Sequence, residues 1–149
     1  MDLAAFDTGF ISYGHPVAVR IQETLQEAEV AEILGYTHFF VSEHHDDWAA
    51  WSNPIGLMSA LAASTSNIHI GSAGLLARYH DPYAVAGSLK PMDAASGGRI
   101  VLGLCPSNGQ KPAMTELFTR REFDTVCVPE FQRHWPRPVW LFSIFWTTS

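Results

Sequence analysis

Apolar residues follow two different periods along this chain. Four short runs are apolar or β-branched almost throughout, which is typical of strands that are buried on both faces of a sheet. These runs occupy residues 3–6, 37–42, 68–76 and 100–104. Between them, apolar residues recur every three to four positions, as they do on the buried face of an amphipathic helix. The pattern therefore predicts strands that alternate with helices.

Proline and capping residues mark where the predicted helices begin and end. Asn53-Pro54 and Asp81-Pro82 each combine a side-chain cap with a proline at the first helical position, and Pro16 suits the same position in the first helix. Gly35 and Gly97-Gly98 are typical of helix ends. The resulting order is β, α, β, α, β, α, β, which implies parallel strands joined by right-handed crossovers.

Two α/β architectures satisfy this order: an open doubly wound sheet, and part of a TIM-type (β/α) barrel with about four βα units. Periodicity does not distinguish them. The first turn lacks a GxGxxG sequence, which weighs against a dinucleotide-binding fold.

The alternation stops after Cys105. Residues 106–111 are rich in turn formers, residues 112–123 are compatible with a short helix, and residues 128–149 mix prolines with many aromatic side chains. We therefore divide the chain at that point. Residues 1–105 would form the half-barrel. Residues 106–149 would form an atypical loop or helix and an aromatic tail at 128–149, which either join the same domain or make an oligomer contact.

Composition and charge exclude several classes of protein. The 149 residues carry a net charge of -6, with no basic stripe, which argues against a nucleic-acid partner. Cys105 and Cys127 are too few for a disulfide scaffold, so we expect a reducing, cytoplasmic location. The first ten residues lack Lys and Arg, and no apolar run approaches the ~20 residues of a membrane helix, so we expect neither a secretory signal nor a membrane span.

Four segments, in this order and spacing, resemble the bacterial-luciferase-like monooxygenase family. They are Ser42-Glu43-His44-His45; Asn53-Pro54 with the small residues that follow; Ile70-Gly71-Ser72-Ala73-Gly74 running to His80-Asp81-Pro82; and residues 93–99 before the strand that ends at Cys105. The match covers roughly residues 1–105. It implies a TIM-type barrel that uses reduced FMN, with the deazaflavin F420 as the less favoured alternative.

The resemblance also implies a catalytic residue. His44 follows a strand, where barrel active sites lie, and its chemistry would be that of a general acid or base near neutral pH. Glu43 and His45 would adjoin the cofactor as orienting neighbours. Read without the resemblance, His44 is a solvated loop histidine and its two neighbours are capping groups.

Further cofactor-site residues follow from the same resemblance. Ser72, Ala73 and Gly74 would lie under the flavin ring, and because several similar proteins have a non-proline cis peptide there, we expect one between Ala73 and Gly74. Cys105 would lie near the reactive edge of the ring. The alternatives are small residues that merely allow close packing, and an ordinary buried cysteine.

We predict no metal site and no chemical role for Arg99. Glu43, His44, His45 and His80 are conceivable ligands, but the sequence has no HExxH or CxxC pattern, and adjacent histidines rarely bind one ion together. Arg99 begins a strand, at the bottom face of any barrel, where residues serve stability.

The sequence departs from the family at three points. Pro106 replaces an arginine that contacts the flavin phosphate in similar luciferases, and it has neither charge nor backbone donor. Pro91 lies inside the third predicted helix, where proline costs about 3 kcal/mol or produces a kink. The chain is also shorter than the about 250 residues of a whole barrel, so we expect open strand edges that a homodimer or larger homo-oligomer would cover.

The leading functional prediction is therefore a flavin-dependent monooxygenase. Reduced FMN and oxygen would oxidise an aldehyde or another small organic substrate, and a flavin reductase would be a partner. The alternative is a non-catalytic, self-associating module that binds flavin or another small molecule. Catalytic turnover would distinguish the two.

Overall fold

The structure is a computed structural model, and it describes residues 2–106, 128–135 and 137–141. Cys127 and the helix predicted at residues 112–123 lie outside the described residues, as do most of the turn-rich loop and the end of the aromatic tail. The strands are β1 (Ala4–Asp7), β2 (His38–Val41), β3 (His69–Ser72), β4 (Leu75–Leu76), β5 (Ile100–Cys105) and β6 (Val139–Leu141). The α-helices are α1 (Val17–Ile33), α2 (Pro54–Ser64), α3 (Pro82–Ala95) and α4 (Val128–His134), and a 3-10 helix spans Ala77–Tyr79.

All the described strand pairs are parallel. Strand β1 pairs with β2, β2 pairs with β3, and β5 pairs with β3, β4 and β6. The predicted parallel arrangement is therefore confirmed. Because the strands all run in one direction, their carboxyl ends meet at a single edge of the sheet.

Strands β3 and β4 act as one strand with a break, where the sequence predicted a single run. Gly71 is opposite Val101, and Leu75 is opposite Leu104, so four steps along β3–β4 face three steps along β5. One extra residue is thus inserted, as in a β-bulge. The hydroxyl of Ser72 bridges this place: its Oγ donates to the carbonyl of Gly103 at 2.9 Å and accepts from the N–H of Gly103 at 3.2 Å.

The helices cover one face of the sheet. Phe39 and Ile70 point to that side and are buried with Ala28 of α1 and Leu61 of α2. On the opposite face Phe6 is 51% exposed. Since a doubly wound sheet has helices on both faces, this one-sided cover indicates part of a barrel.

The face of the sheet opposite the helices is the inner face of the half-barrel. Close packing on this inner face requires a glycine at position 71. Phe6, Phe40 and Gly71 stand side by side on β1, β2 and β3. A Cβ atom at Gly71 would lie 2.7 Å from the ring of Phe40 and 2.8 Å from the carbonyl oxygen of Val101. The glycine therefore lets the Phe40 ring lie across β3.

The predicted helix starts are largely confirmed. Asn53 caps α2 by accepting a hydrogen bond from the N–H of Ile55, and Asp81 caps α3 through the N–H of Ala84. Helix α1 begins one residue later than expected, with Pro16 as its N-cap. Helix α3 continues through Pro91 on its exposed side. Within the described ranges, every helix is too short or too polar to cross a membrane.

Arg99 stabilises the lower end of the fold, as predicted. It lies just before β5, and its guanidinium donates to the carbonyls of Ala62, Thr65 and Ile68 at 2.7–3.1 Å. It also bonds the hydroxyl of Thr65 at 3.0 Å. These contacts satisfy the end of α2 and the turn that follows it.

Part of the aromatic tail belongs to the core, and it adds a strand that the sequence did not predict. Helix α4 packs on α3, and the side chains of Phe131 and Trp135 are buried. Arg137 forms an ion pair with Asp93 at 2.7 Å, and β6 extends the sheet beyond β5. The sequence did not predict this helix and strand, because the closely spaced prolines and aromatic residues match neither the helical period nor the strand pattern.

Candidate active site

The residues predicted for the site lie at the carboxyl ends of three neighbouring strands. Residues 42–45 directly follow β2, Ala73 and Gly74 lie between β3 and β4, and Cys105 ends β5. In a parallel barrel this is the edge at which catalytic side chains are placed. The structure thus brings the predicted residues to one edge, where they form two distinct groups.

The first group is centred on the carboxylate of Glu43, whose side chain is fully buried. His45 Nε2 lies 2.8 Å from Glu43 Oε1, and His80 Nε2 lies 2.8 Å from Oε2. The backbone N–H of Leu76 also donates to Oε2, at 2.9 Å. The buried carboxylate of Glu43 therefore faces these three partners within the protein.

His44 points elsewhere. Its half-buried ring lies 4.7 Å from the ring of Trp48, measured between centroids. Burial lowers the pKa of His44 below its ordinary value of 6.5; His45 acts in the same direction, and the negative charges of Asp46 and Glu43 oppose it. A lowered pKa keeps the imidazole neutral at pH 7, which is the form that accepts a proton.

The second group consists of the small buried residues Ala73 and Gly74 beside Cys105. The peptide bond between Ala73 and Gly74 is cis, as the resemblance led us to expect. A Cβ atom at Gly74 would lie 2.9 Å from the Cβ of Cys105 and 3.1 Å from its backbone nitrogen. Cys105 is buried, at 8% exposure. Gly74 therefore permits the close contact between the β3–β4 break and the end of β5.

Ser72 has a different environment from the other predicted site residues. Its side chain is fully buried, and its hydroxyl both donates to and accepts from the backbone of Gly103. These two bonds take the place of ladder hydrogen bonds at the strand break. The structure thus supports a structural contribution from the hydroxyl of Ser72.

The loops after β1 and β2 support the site by binding each other. Phe10 and Ala49 form an isolated antiparallel bridge, and the N–H of Ile11 donates to the carbonyl of Trp48 at 2.8 Å. Trp51 Nε1 donates to the carbonyl of Ser42 at 2.9 Å. The backbone just before Glu43 is consequently held from two directions.

Sequence reasoning did not predict that His80 contacts Glu43 or that Tyr79 contacts His45. It named His80 in a family-like segment and as a conceivable metal ligand, whereas the structure bonds this ring to Glu43. Tyr79 meets the ring of His45 edge-on, with 5.3 Å between centroids. The only sequence signal was the position of both residues just before the Asp81-Pro82 helix start. Among the described residues, no group of three His, Cys, Asp or Glu side chains has an arrangement suited to a metal ion.

The structure is thus part of a parallel barrel whose carboxyl-terminal edge carries a cluster of imidazole and carboxylate groups. The family model for luciferase-like monooxygenases matches residues 1–126. This chain belongs to that family.

Individual relatives support this assignment. The N-acetyl-S-alkylcysteine monooxygenase of Bacillus subtilis is 36% identical over 118 residues, which are 78% of this chain and 34% of that protein. The chain therefore spans about a third of the length of the curated relatives that it matches.

Solved structures show the same fold. The apo form of MsnO8 superimposes with a TM-score of 0.79 at 27% identity, over 88% of this chain and 40% of that one. The oxygenating constituent of 3,6-diketocamphane monooxygenase from Pseudomonas putida, solved with FMN, has a TM-score of 0.72 at 20% identity, over 90% and 37% of the two chains. These superpositions identify the barrel as the architecture that this half-sheet belongs to.

Proposed function

We propose that this chain takes part in flavin-dependent monooxygenation, in which reduced FMN and oxygen oxidise an aldehyde or another small organic molecule. The observation that carries the proposal is the arrangement at the carboxyl-terminal edge. A half-buried His44 with a lowered pKa shares that edge with the small residues Ala73 and Gly74 and with Cys105. Family membership supports the same conclusion.

The residues present fit the ring of a flavin. Ala73 and Gly74 have no bulky side chains, and the Cβ atom and backbone nitrogen of Cys105 lie next to Gly74. When bound, reduced FMN would supply the activation of oxygen. His44 would hold or accept a proton at its ring nitrogen, and Trp48 would help to exclude water from that ring.

Arg78 is the described cation that best fits a flavin phosphate. Its Nε atom is buried and has no hydrogen-bond partner among the described residues. The other described arginines all make hydrogen bonds or ion pairs: Arg20, Arg99, Arg133 and Arg137. A buried guanidinium nitrogen without a partner is unfavourable, and an anion would satisfy it. Arg78 would thus take over a task that Pro106, next to Cys105, is unable to perform.

We also propose that a second copy of the chain covers the outer edge of β1. That edge pairs with no other described strand, and a groove of about 530 Å³ runs between β1 and α1. Phe6, Val30 and Leu34 line the groove and are 51%, 52% and 68% exposed. An open strand edge beside apolar surface favours association. A homodimer would complete the wall of the barrel, and with it the cofactor site.

The remaining partners follow from the chemistry. Reduced FMN would reach the site as a diffusible co-substrate that a flavin reductase supplies. A reducing, cytoplasmic environment would keep the buried Cys105 in its thiol form. The deazaflavin F420 is the alternative cofactor, and binding measurements with both compounds would distinguish them.

A second candidate function is non-catalytic binding of flavin or another aromatic molecule. The exposure of Phe6 on the inner face of the half-barrel favours it, because an apolar surface there offers binding without a closed reaction chamber. Turnover separates the two candidates, since only the enzyme consumes reduced flavin together with the formation of an oxidised product.

The first test is FMN binding, which is measured by the quenching of flavin fluorescence. The protein sample should have a mass in solution that is known from light scattering. We expect saturable binding, and oxygen-dependent product formation that is lost in His44→Ala while binding remains. Arg78→Gln should lower the affinity for FMN at least tenfold. The affinity for riboflavin, which lacks the phosphate, should stay unchanged. Arg133→Gln removes an exposed charge and serves as the control. Absence of binding to FMN, riboflavin and F420 would refute the proposal.

A further inference from the structure

The carboxylate of Glu43 makes hydrogen bonds with three separate parts of the chain. The ring of His45 comes from the loop after β2, the backbone N–H of Leu76 from β4, and the ring of His80 from the turn before α3. All three distances are 2.8–2.9 Å. A buried carboxylate is unfavourable unless such donors surround it, so this arrangement constrains where the protons are.

The positions of the protons follow from the donor and acceptor inventory. An ionised carboxylate only accepts hydrogen bonds, and a backbone N–H only donates. With Glu43 ionised, both of its oxygens act as acceptors and each facing ring atom carries a proton. That arrangement puts His45 and His80 in the Nε2–H form, and in a neutral ring the lone pair is on Nδ1.

We infer that Glu43 is a positioning residue that fixes His45 and His80 in the Nε2–H form, and that His80 thereby belongs to the reaction site together with His44 and His45. The inference rests on the proposed function for the identity of the reaction. The side chain of Glu43 is 0% exposed, whereas those of His45 and His80 are 18% and 14% exposed. The ring edges are thus the part of this cluster that a ligand would meet.

The geometry gives the site two separate proton-handling groups. His44 packs on Trp48, whereas His45 and His80 each make a hydrogen bond with Glu43. A neutral imidazole with its proton on Nε2 accepts from O–H or N–H groups through Nδ1. Through Nδ1 of His45 the cluster is therefore suited to an organic ligand that presents such a donor, with His44 as the separate base of the proposed reaction.

The substitution Glu43→Gln tests whether Glu43 positions the two rings or only makes a structural hydrogen bond with them. The amide has one accepting oxygen and one donating nitrogen, so it is unable to accept from both rings. Leu76 and His80 share Oε2, and the amide oxygen should stay with them. The amide nitrogen then faces His45, which has to accept through Nε2 and move its proton to Nδ1. His80 should keep its Nε2–H form.

The experiment is a long-range proton–nitrogen correlation spectrum of the full chain with nitrogen-15 in its histidines, recorded at pH 8. We expect the Nε2–H pattern for both rings in the wild-type chain, assigned through His45→Gln and His80→Gln. In Glu43→Gln only His45 should change to the Nδ1–H pattern, and Glu43→Asp should leave both patterns as they are. Glu23→Gln is the matched control, because Glu23 lies 3.3 Å from the ring of His15 and far along the chain from Glu43.

An Nδ1–H pattern for either ring in the wild-type chain would overturn the inference, even if Glu43→Gln failed to fold. Unchanged spectra in a folded Glu43→Gln would also overturn it. These measurements need no flavin, so a failure of FMN binding with the expected spectra would reject the proposed function alone. If the chain turns over, Glu43→Gln should lower kcat at least tenfold with little change in KM, and Glu43→Asp should recover part of that loss.

Discussion

Gly74 lies against Cys105 so closely that no side chain fits between them. A Cβ atom at position 74 would come within 2.9 Å of the Cys105 Cβ and within 3.1 Å of the backbone at Leu104 and Cys105. Most of these contacts are with backbone, which has little freedom to move away. In the proposed function these two residues adjoin the flavin, so we expect stability and cofactor binding to depend on the same contact.

A substitution at Gly74 should therefore affect both properties. Gly74→Ala should lower the free energy of unfolding by about 1–3 kcal/mol, because it overpacks a close contact, and should weaken FMN binding. Urea titration and fluorescence quenching measure the two effects. Gly87→Ala is the control: nothing lies within 4 Å of that position in α3, and a helical alanine should stabilise by about 0.5–1 kcal/mol. Equal stability of the wild type and Gly74→Ala would contradict the packing argument.

Arg99 should be among the most important charged residues for stability. Arg99→Ala leaves the carbonyls of Ala62, Thr65 and Ile68 without their guanidinium donor, so we expect a loss of about 2–4 kcal/mol in the free energy of unfolding. Arg99→Lys should recover only part of it, since an ammonium lacks the forked geometry. Arg133→Ala, on an exposed side chain of α4, should change stability by less than about 0.5 kcal/mol. Chemical unfolding that showed equal losses for Arg99 and Arg133 would refute the prediction.

The carboxylate of Glu32 should make stability depend on acid pH. Desolvation by burial is the largest single influence on its pKa and raises it, but the backbone N–H groups of Asn67, Ile68 and Ser66, with Arg99, together lower the pKa below 4.5. A carboxyl group whose pKa is lower in the folded state than in the unfolded state stabilises the fold. This contribution is complete at pH values above the unfolded pKa, and it is lost as the pH falls through the folded pKa.

The wild-type chain should therefore lose stability below about pH 4.5, and Glu32→Gln should have a flatter profile in that range. Thermal unfolding between pH 3 and pH 7 would measure both. Glu29→Gln, an exposed position on the same helix, should retain the wild-type profile. Parallel curves for the wild type and Glu32→Gln would show that these hydrogen bonds carry no linkage to pH.

Self-association should depend on the groove beside β1. Leu34→Lys introduces a charge where a second copy is proposed to dock, so light scattering should show a shift from dimer to monomer. FMN binding should weaken together with the dimer if the second copy completes the site. Val19→Lys makes the same change at a position of α1 that is 43% exposed and outside the groove lining, and it should leave the mass unchanged. A wild-type chain that is monomeric at micromolar concentration would end the proposal.

Much of the fold follows from local rules. Asn53 and Asp81 cap their helices as the cap-plus-proline sequence predicts, and Arg99 serves stability at the strand start. The described residues after Cys105 were less predictable from the sequence. Phe131 and Trp135 lie in a segment without a clear period, and their burial against α3 depends on elements far away in sequence.

Up to Cys105, and apart from the break between β3 and β4, the sequence by itself determined the order of strands and helices, the parallel sheet and the edge at which His44 and Cys105 lie, because apolar period and capping act over a few residues. Only the tertiary structure decided which side chains use their hydrogen bonds within the protein. Ser72 binds the backbone of Gly103, and Glu43 binds His80 across 37 positions of the chain. Such partners depend on how β3, β4 and β5 align, and that alignment is a property of the packed sheet, which no local stretch of sequence contains.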